Sequence, residues 1–130
     1  MAKLRVLVFG NPLVEQDSIA LAILPQLRER FPDIDFVEFD AAEDLEKEGR
    51  ELVILDAVAG IKKVTLISDL DSLQLVQTKR MSLHDFDLGQ SLGLMKAAGM
   101  LDSVRIIGVP MRYPTKKAFL EVVAMLSGIH

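Results

Sequence analysis

The chain has 130 residues, which suits a single domain spanning 1–130. Half of the residues are hydrophobic (50%) and 26% are charged, so the chain can bury an ordinary core, which a disordered protein cannot. Its net charge of −4 and basic runs of no more than two residues argue against a nucleic-acid partner. The absence of cysteine excludes a thiolate nucleophile, a thiolate metal site and disulfide bonds, and it fits an intracellular protein.

The series of predicted elements begins near the N-terminus. Residues 4–9 are rich in β-branched and apolar side chains and end at Gly10-Asn11-Pro12, which predicts a buried strand followed by a turn. This run is shorter than the roughly 7 to 15 apolar residues of a signal peptide. No apolar run in the chain approaches the roughly 18 to 20 residues that span a bilayer. We therefore expect a cytoplasmic protein without a membrane span.

The next three predicted elements are one helix and two strands. A helical period begins at Ser18, and Pro32 ends the helix. Residues 34–39 alternate between apolar and polar side chains, which predicts a second strand. Residues 52–55 are a continuous apolar run, which predicts a third, buried strand that ends at Asp56.

The second half of the chain continues the alternation of strands and helices. Residues 64–67 predict a fourth strand, which we expect to be antiparallel because the connection before it looks too short for a helical crossover. A helix is predicted from His84 or Asp85 to about Met100, with Gly99 capping its end. The last two predicted elements are a strand and a helix, at 104–109 and 115–127.

This order of elements predicts the fold class. Strands that alternate with helices imply an α/β protein, specifically a three-layer α/β/α domain built on a mostly parallel sheet. Right-handed crossovers then place the loops after the first, third and last strands near one rim of the sheet. Ligands bind in the crevice at the carboxyl ends of such strands.

Three polar side chains are the candidates for a site at this rim. Asp17 follows the loop after the first strand, Asp56 follows the third strand, and His84 stands at the start of a helix. Two carboxylates and one imidazole that converge there form an oxygen-and-nitrogen site for a divalent metal.

Each candidate also has a structural interpretation. Asp17 fits the N-cap position of a helix, where its oxygen accepts a hydrogen bond from a backbone N–H group. Asp56 fits a turn cap, although a carboxylate placed directly after buried apolar residues is costly unless it is paired or coordinated. His84 fits an ordinary helix N-terminal residue. The sequence has no dinucleotide-binding glycine loop, no phosphate-binding loop and no serine-hydrolase elbow.

Three segments carry a resemblance to a known family. They are the loop Phe9–Ser18, the strand Val53–Val58 with its Asp-Ala pair, and the Ser-Leu-His-Asp segment Ser82–Asp85. In this order and spacing they resemble the hydrogenase maturation proteases, which process the large subunit of nickel–iron hydrogenases. The resemblance covers nearly the whole chain.

The resemblance implies a fold, an activity and a set of site residues. It implies a twisted five-stranded sheet between helices, and it makes Asp17, Asp56 and His84 the metal-contacting and catalytic residues. The nickel belongs to the precursor large subunit, so no permanently bound cofactor is expected. The expected partner is that precursor, from which a C-terminal extension is removed. We expect a monomer, and a water attack with Asp17 or Asp56 as general base.

The sequence departs from the family at positions near the expected site. Gln16 replaces an acid, Ser18 replaces a glycine, and Asp40-Ala41-Ala42 replaces an acid followed by glycines. One alternative is therefore a non-cleaving, nickel-dependent checkpoint protein of the same fold. A second alternative is a receiver-like or nucleotide-binding signalling domain, which requires a lysine after the last strand, where Pro110-Met111-Arg112 offers an arginine instead.

Overall fold

A computed structural model describes residues 4–9, 19–39, 45, 47–68, 82–83 and 86–129. Within these residues the chain forms six strands and three helices. In chain order they are β1 (Arg5–Phe9), α1 (Ile19–Arg30), β2 (Asp35–Phe39), β3 (Glu51–Ala59), β4 (Thr65–Ile67), β5 (Ser82–Leu83), α2 (Phe86–Ala97), β6 (Ser103–Pro110) and α3 (Thr115–Ile129). No helix among the described residues is long and apolar enough to cross a membrane.

The strands form one mostly parallel sheet. Five of them follow the order β2-β1-β3-β6-β4, and the short β5 pairs with β3 beside this path. β1 is parallel to β2 and to β3, and β3 is parallel to β6. β4 runs antiparallel to β6 at one edge, as its short connection predicts. The predicted α/β class with a mostly parallel five-stranded sheet is thus confirmed.

Helices cover both faces of the sheet, because the side chains of each buried strand alternate between the two faces. On one face, Val53, Leu55 and Ala57 of β3 belong to a core that includes buried side chains of α1 and α3. On the other face, Ile54 and Val58 belong to a second core, which includes side chains of α2. The arrangement is the predicted α/β/α sandwich.

β3 extends further than its sequence pattern predicts. It runs to Ala59, so Asp56 is the sixth of its nine residues and does not follow the strand's end. The extension is held by long-range pairing, because β6 remains in register with β3 as far as Val58 and Pro110. The prediction that the third strand ends at Asp56 is therefore wrong.

Candidate functional site

Asp56 is the one predicted site residue that the structure describes. Its side chain is fully buried, and it is the only polar or charged residue buried in the described part of the chain. Its Oδ1 accepts a hydrogen bond of 2.9 Å from the backbone N–H of Ala57. A carboxylate in such surroundings requires hydrogen bonds, an ion pair or a metal. The bond from Ala57 meets part of this requirement, and a fully buried carboxylate is uncommon in proteins, so Asp56 remains a candidate site residue.

The sheet fixes the position of Asp56 relative to its neighbours. In β6 its register partner is Gly108, whose own partner in β4 is Thr65. On the other side, Val8 of β1 pairs with Leu55, so the next position in register places Phe9 beside Asp56. Since Phe9 is the last residue of β1, Asp56 lies level with the point where β1 ends.

Short pieces of described chain flank the other two candidates. Leu83, directly before His84, pairs with Val58, which is two residues beyond Asp56. The chain leading into His84 is thereby attached to the end of β3. Asp17 precedes by two residues the start of α1 at Ile19.

Asp17 and His84 themselves lie outside the described residues. The same is true of the departures from the family pattern at Gln16, Ser18 and 40–42. Across the segments that the structure does describe, no group of three His, Asp or Glu side chains could hold a metal ion. The three-residue site therefore stays a prediction from the sequence, with one of its members placed.

Hydrogen bonds among Tyr113, Glu121 and Val64 connect a helix to the sheet just beyond the level of Asp56. The Tyr113 hydroxyl, in the loop after β6, donates to the Glu121 carboxylate of α3 at 2.8 Å from Oε2. Glu121 Oε1 also accepts the backbone N–H of Val64, directly before β4, at 3.0 Å. These contacts tie together the loop, the helix and the edge strand at this end of the sheet.

The same contacts shift the ionisation of both side chains. The pKa of Glu121 is lowered, first by the hydrogen bond from the Val64 backbone and then by that from Tyr113. The pKa of Tyr113 is raised, first by burial of its hydroxyl and then by the hydrogen bond to Glu121. Both pKa shifts favour a protonated Tyr113 hydroxyl that donates to an ionised Glu121 carboxylate.

Gly108 is a residue at this level that the sequence analysis did not single out. A Cβ atom built on Gly108 would lie 2.8 Å from Val58 Cγ2 and 3.4 Å from Ile61 Cδ1. The available signal is a glycine between apolar residues of a strand, which often marks a close approach of neighbouring groups.

Comparisons with known proteins identify solved structures that share the α/β/α fold of this chain. No protein-family model matches the sequence, and no curated protein matches it. One similar solved structure is the hydrogenase maturating endopeptidase HybD from E. coli, with a TM-score of 0.65 and 22% sequence identity. Another is an endopeptidase from Escherichia coli whose structure was determined in solution, with a TM-score of 0.63 and 20% identity.

Both likenesses extend over nearly the whole domain. Each covers 96% of this chain and 93% of the other protein. At this sequence identity the likeness establishes the fold and not the chemistry. The chain therefore has the fold of the hydrogenase maturating endopeptidases.

Proposed function

We propose that the protein is an endopeptidase that recognises nickel in the precursor large subunit of a nickel–iron hydrogenase and removes its C-terminal extension. The observation that carries the proposal is the fully buried carboxylate of Asp56, level with the end of β1 in a fold shared with a hydrogenase maturating endopeptidase. The three sequence segments that resemble this family support the same activity.

The proposed site consists of Asp17, Asp56 and His84. Two kinds of observation support it: the position of Asp56, and the attachment of the chain before His84 to the end of β3. Carboxylate oxygen and imidazole nitrogen are suitable ligands for a divalent transition metal. In this proposal the nickel arrives with the substrate and holds the scissile peptide next to the two carboxylates.

The proposed reaction is hydrolysis by water. Asp17 or Asp56 accepts a proton from a water molecule whose oxygen attacks the scissile carbonyl carbon. The carbon–nitrogen bond then breaks, and the leaving nitrogen takes up a proton to become the new amino terminus. Cysteine cannot take part as a nucleophile, because the sequence contains none.

The proposal includes a cellular setting. We propose that the protein acts in the cytoplasm, which the absence of cysteine fits, and as a monomer, which suits a protease whose partner is a large subunit. No nucleic acid or membrane is needed for the reaction.

A processing assay tests the proposal. The purified protein is mixed with the precursor large subunit, with and without nickel, and the released peptide is detected by mass spectrometry. We expect cleavage of the nickel-loaded form only. We expect Asp56→Asn, Asp17→Asn and His84→Ala each to lower the rate by at least about 100-fold, since general acid–base groups contribute about 100- to 10,000-fold.

The matched control is Asp35→Asn, which removes an exposed carboxylate from the edge strand β2. It should cleave at the wild-type rate. Wild-type rates in all three site variants would disprove the site. Binding of the nickel-loaded precursor without cleavage would instead favour the checkpoint protein, for which the departures at Gln16 and Ser18 are the specific observation.

A further inference from the structure

Gly108 lies inside β6, in the segment SVRIIGVP, where the two residues on each side of it in the sequence are apolar. Its φ angle is outside the left-handed region, so its backbone conformation does not require glycine. A glycine inside a strand weakens the strand, because it has no side chain to pack and loses more conformational freedom on folding. The reason for a glycine here must therefore be space.

That space is taken by Val58. A Cβ atom on residue 108 would lie 2.8 Å from Val58 Cγ2, closer than real Cβ atoms approach another heavy atom. Val58 is fully buried in the second core, so its side chain cannot turn towards solvent to relieve the overlap. Protein interiors are close-packed, so any added methyl group must displace its neighbours.

Val58 is also the point where three strands meet. Its backbone pairs with Pro110 of β6 on one side and with Leu83 of β5 on the other. It follows Asp56 by two residues in β3, on the same face of the sheet. A displacement of Val58 would therefore be transmitted to Asp56 along β3 and to β5, which leads directly into His84.

We propose that Gly108 is a positioning residue of the candidate site. By lacking a side chain it lets Val58 lie against β6, and Val58 in turn fixes Asp56 in β3 and the two residues of β5 that precede His84. This inference rests on the proposed function for its effect on cleavage. Its effect on the pairing of β5 with Val58 does not depend on that function.

A double-mutant cycle tests the inference. The variants are Gly108→Ala, Val58→Ala and Gly108→Ala combined with Val58→Ala, which removes the Cγ2 atom that the new methyl group would meet. Gly128→Ala is the matched control, because a Cβ atom there meets nothing within 4 Å. All rates are measured where unfolding experiments show every variant to be fully folded.

We expect Gly108→Ala to lower kcat for the nickel-loaded precursor by about 100-fold in the wild-type background, since small misplacements of catalytic groups have effects of this size. KM should change much less. In the Val58→Ala background the same substitution should change kcat by less than about threefold, because the overlap no longer exists. An equal loss in both backgrounds would overturn the inference.

A second measurement does not depend on cleavage. The sequence has two histidines, His84 and His130, so the NMR spectrum contains two imidazole Hε1 signals, which a His130→Gln variant assigns. We expect Gly108→Ala to shift the His84 signal and to speed amide hydrogen exchange at Leu83. Both should return to the Val58→Ala values in the double variant.

The two measurements separate the two proposals. If the wild type cleaves no precursor but the His84 signal follows the expected pattern, the proposed function fails and the positioning role stands. If the His84 signal and the Leu83 exchange rate are the same in Gly108→Ala and in the Gly128→Ala control, the positioning role is refuted, whatever the cleavage rates.

Discussion

Glu121 illustrates how a single side chain holds together elements that are distant in sequence. Its carboxylate accepts hydrogen bonds from the backbone of Val64 and from the hydroxyl of Tyr113, so it joins α3 to β4 and to the loop after β6. Hydrogen bonds to an ionised acceptor are stronger than those between neutral groups. The stability of this end of the sheet should therefore depend on pH.

The direction of that dependence follows from the two pKa shifts. Because folding lowers the pKa of Glu121, the ionised carboxylate stabilises the folded protein at pH values above 4.5, the ordinary pKa of this side chain. This stability is lost as the pH falls through the folded-state pKa. Because folding raises the pKa of Tyr113, the protonated phenol stabilises the folded protein at pH values below 10.0, the ordinary pKa of this side chain. This stability is lost as the pH rises through the folded-state pKa. We expect Glu121→Gln to reduce the loss of stability below pH 4.5, as measured by urea unfolding.

Glu38→Gln is the control for this measurement, because Glu38 is an exposed carboxylate of the edge strand β2. Its unfolding free energy should follow the wild-type pH dependence. Tyr113→Phe should remove the alkaline loss of stability and leave the bond from Val64 to Glu121 in place. The same acid dependence in Glu121→Gln and in the wild type would contradict the assignment.

At the scale of the element, the end of α2 has the geometry of a Schellman motif. The N–H of Met100 donates to the carbonyl of Met95 at 2.8 Å, and that of Gly99 donates to Lys96 at 3.1 Å. Gly99 has a φ of 71°, a conformation that is unfavourable for residues with a Cβ atom. The predicted cap at Gly99 is thus confirmed.

Two glycines of this region should respond to alanine in opposite ways. Neither Gly93 nor Gly99 has an atom within 4 Å of an added Cβ, so packing does not distinguish them. Gly99→Ala should lower the free energy of unfolding by about 1 to 2 kcal/mol because of its positive φ. Gly93→Ala, inside the helix, should raise it by about 0.5 to 1 kcal/mol. Urea unfolding measures both, and changes of the same sign would contradict this explanation.

The elements that the sequence did not predict are those that depend on distant partners. The five main strands and the three helices have local periodicity and clear turn residues, so their patterns predict them. The last three residues of β3 are held in the strand by pairing with β5 and with β6. The two residues of β5 are held by pairing with β3. No local pattern encodes such pairing.

The candidate site also combines a feature that the local sequence indicates with one that depends on a distant partner. The polar character of Asp56 after a buried run makes it a candidate site residue, and the alternation of β3 places it on the face of the second core. The proposed role of Gly108 depends on the side chain of Val58, which a Cβ atom at position 108 would overlap and which is 50 positions earlier in the chain, in another strand. A single sequence does not reveal such a contact before the strand order and register are known.

At the scale of the whole molecule, the sheet separates two cores. Ile23 of α1 belongs to the core on one face, and Ile106 of β6 belongs to the core on the other. Both side chains are fully buried. Because the sheet lies between them, a cavity beside one should not be felt by the other.

We therefore expect Ile23→Val and Ile106→Val to have additive effects on the free energy of unfolding. Each should cost about 0.5 to 1.5 kcal/mol, and the double variant should equal their sum to within about 0.5 kcal/mol. The comparison pair is Ile54→Val with Ile106→Val, because these two residues are register partners in the second core. The idea of two separate cores fails if the pair across the sheet couples as strongly as the pair within one core.

The shortness of the two edge strands affects how the protein behaves at high concentration. β2 has five residues, among which Asp35 and Glu38 are exposed, and β4 has only three. Unpaired backbone groups at a sheet edge are a template for addition of strands from other molecules, and short or charged edges suppress this. Within the part of the chain that the structure describes, β2 and β4 therefore offer little backbone for amyloid-like growth.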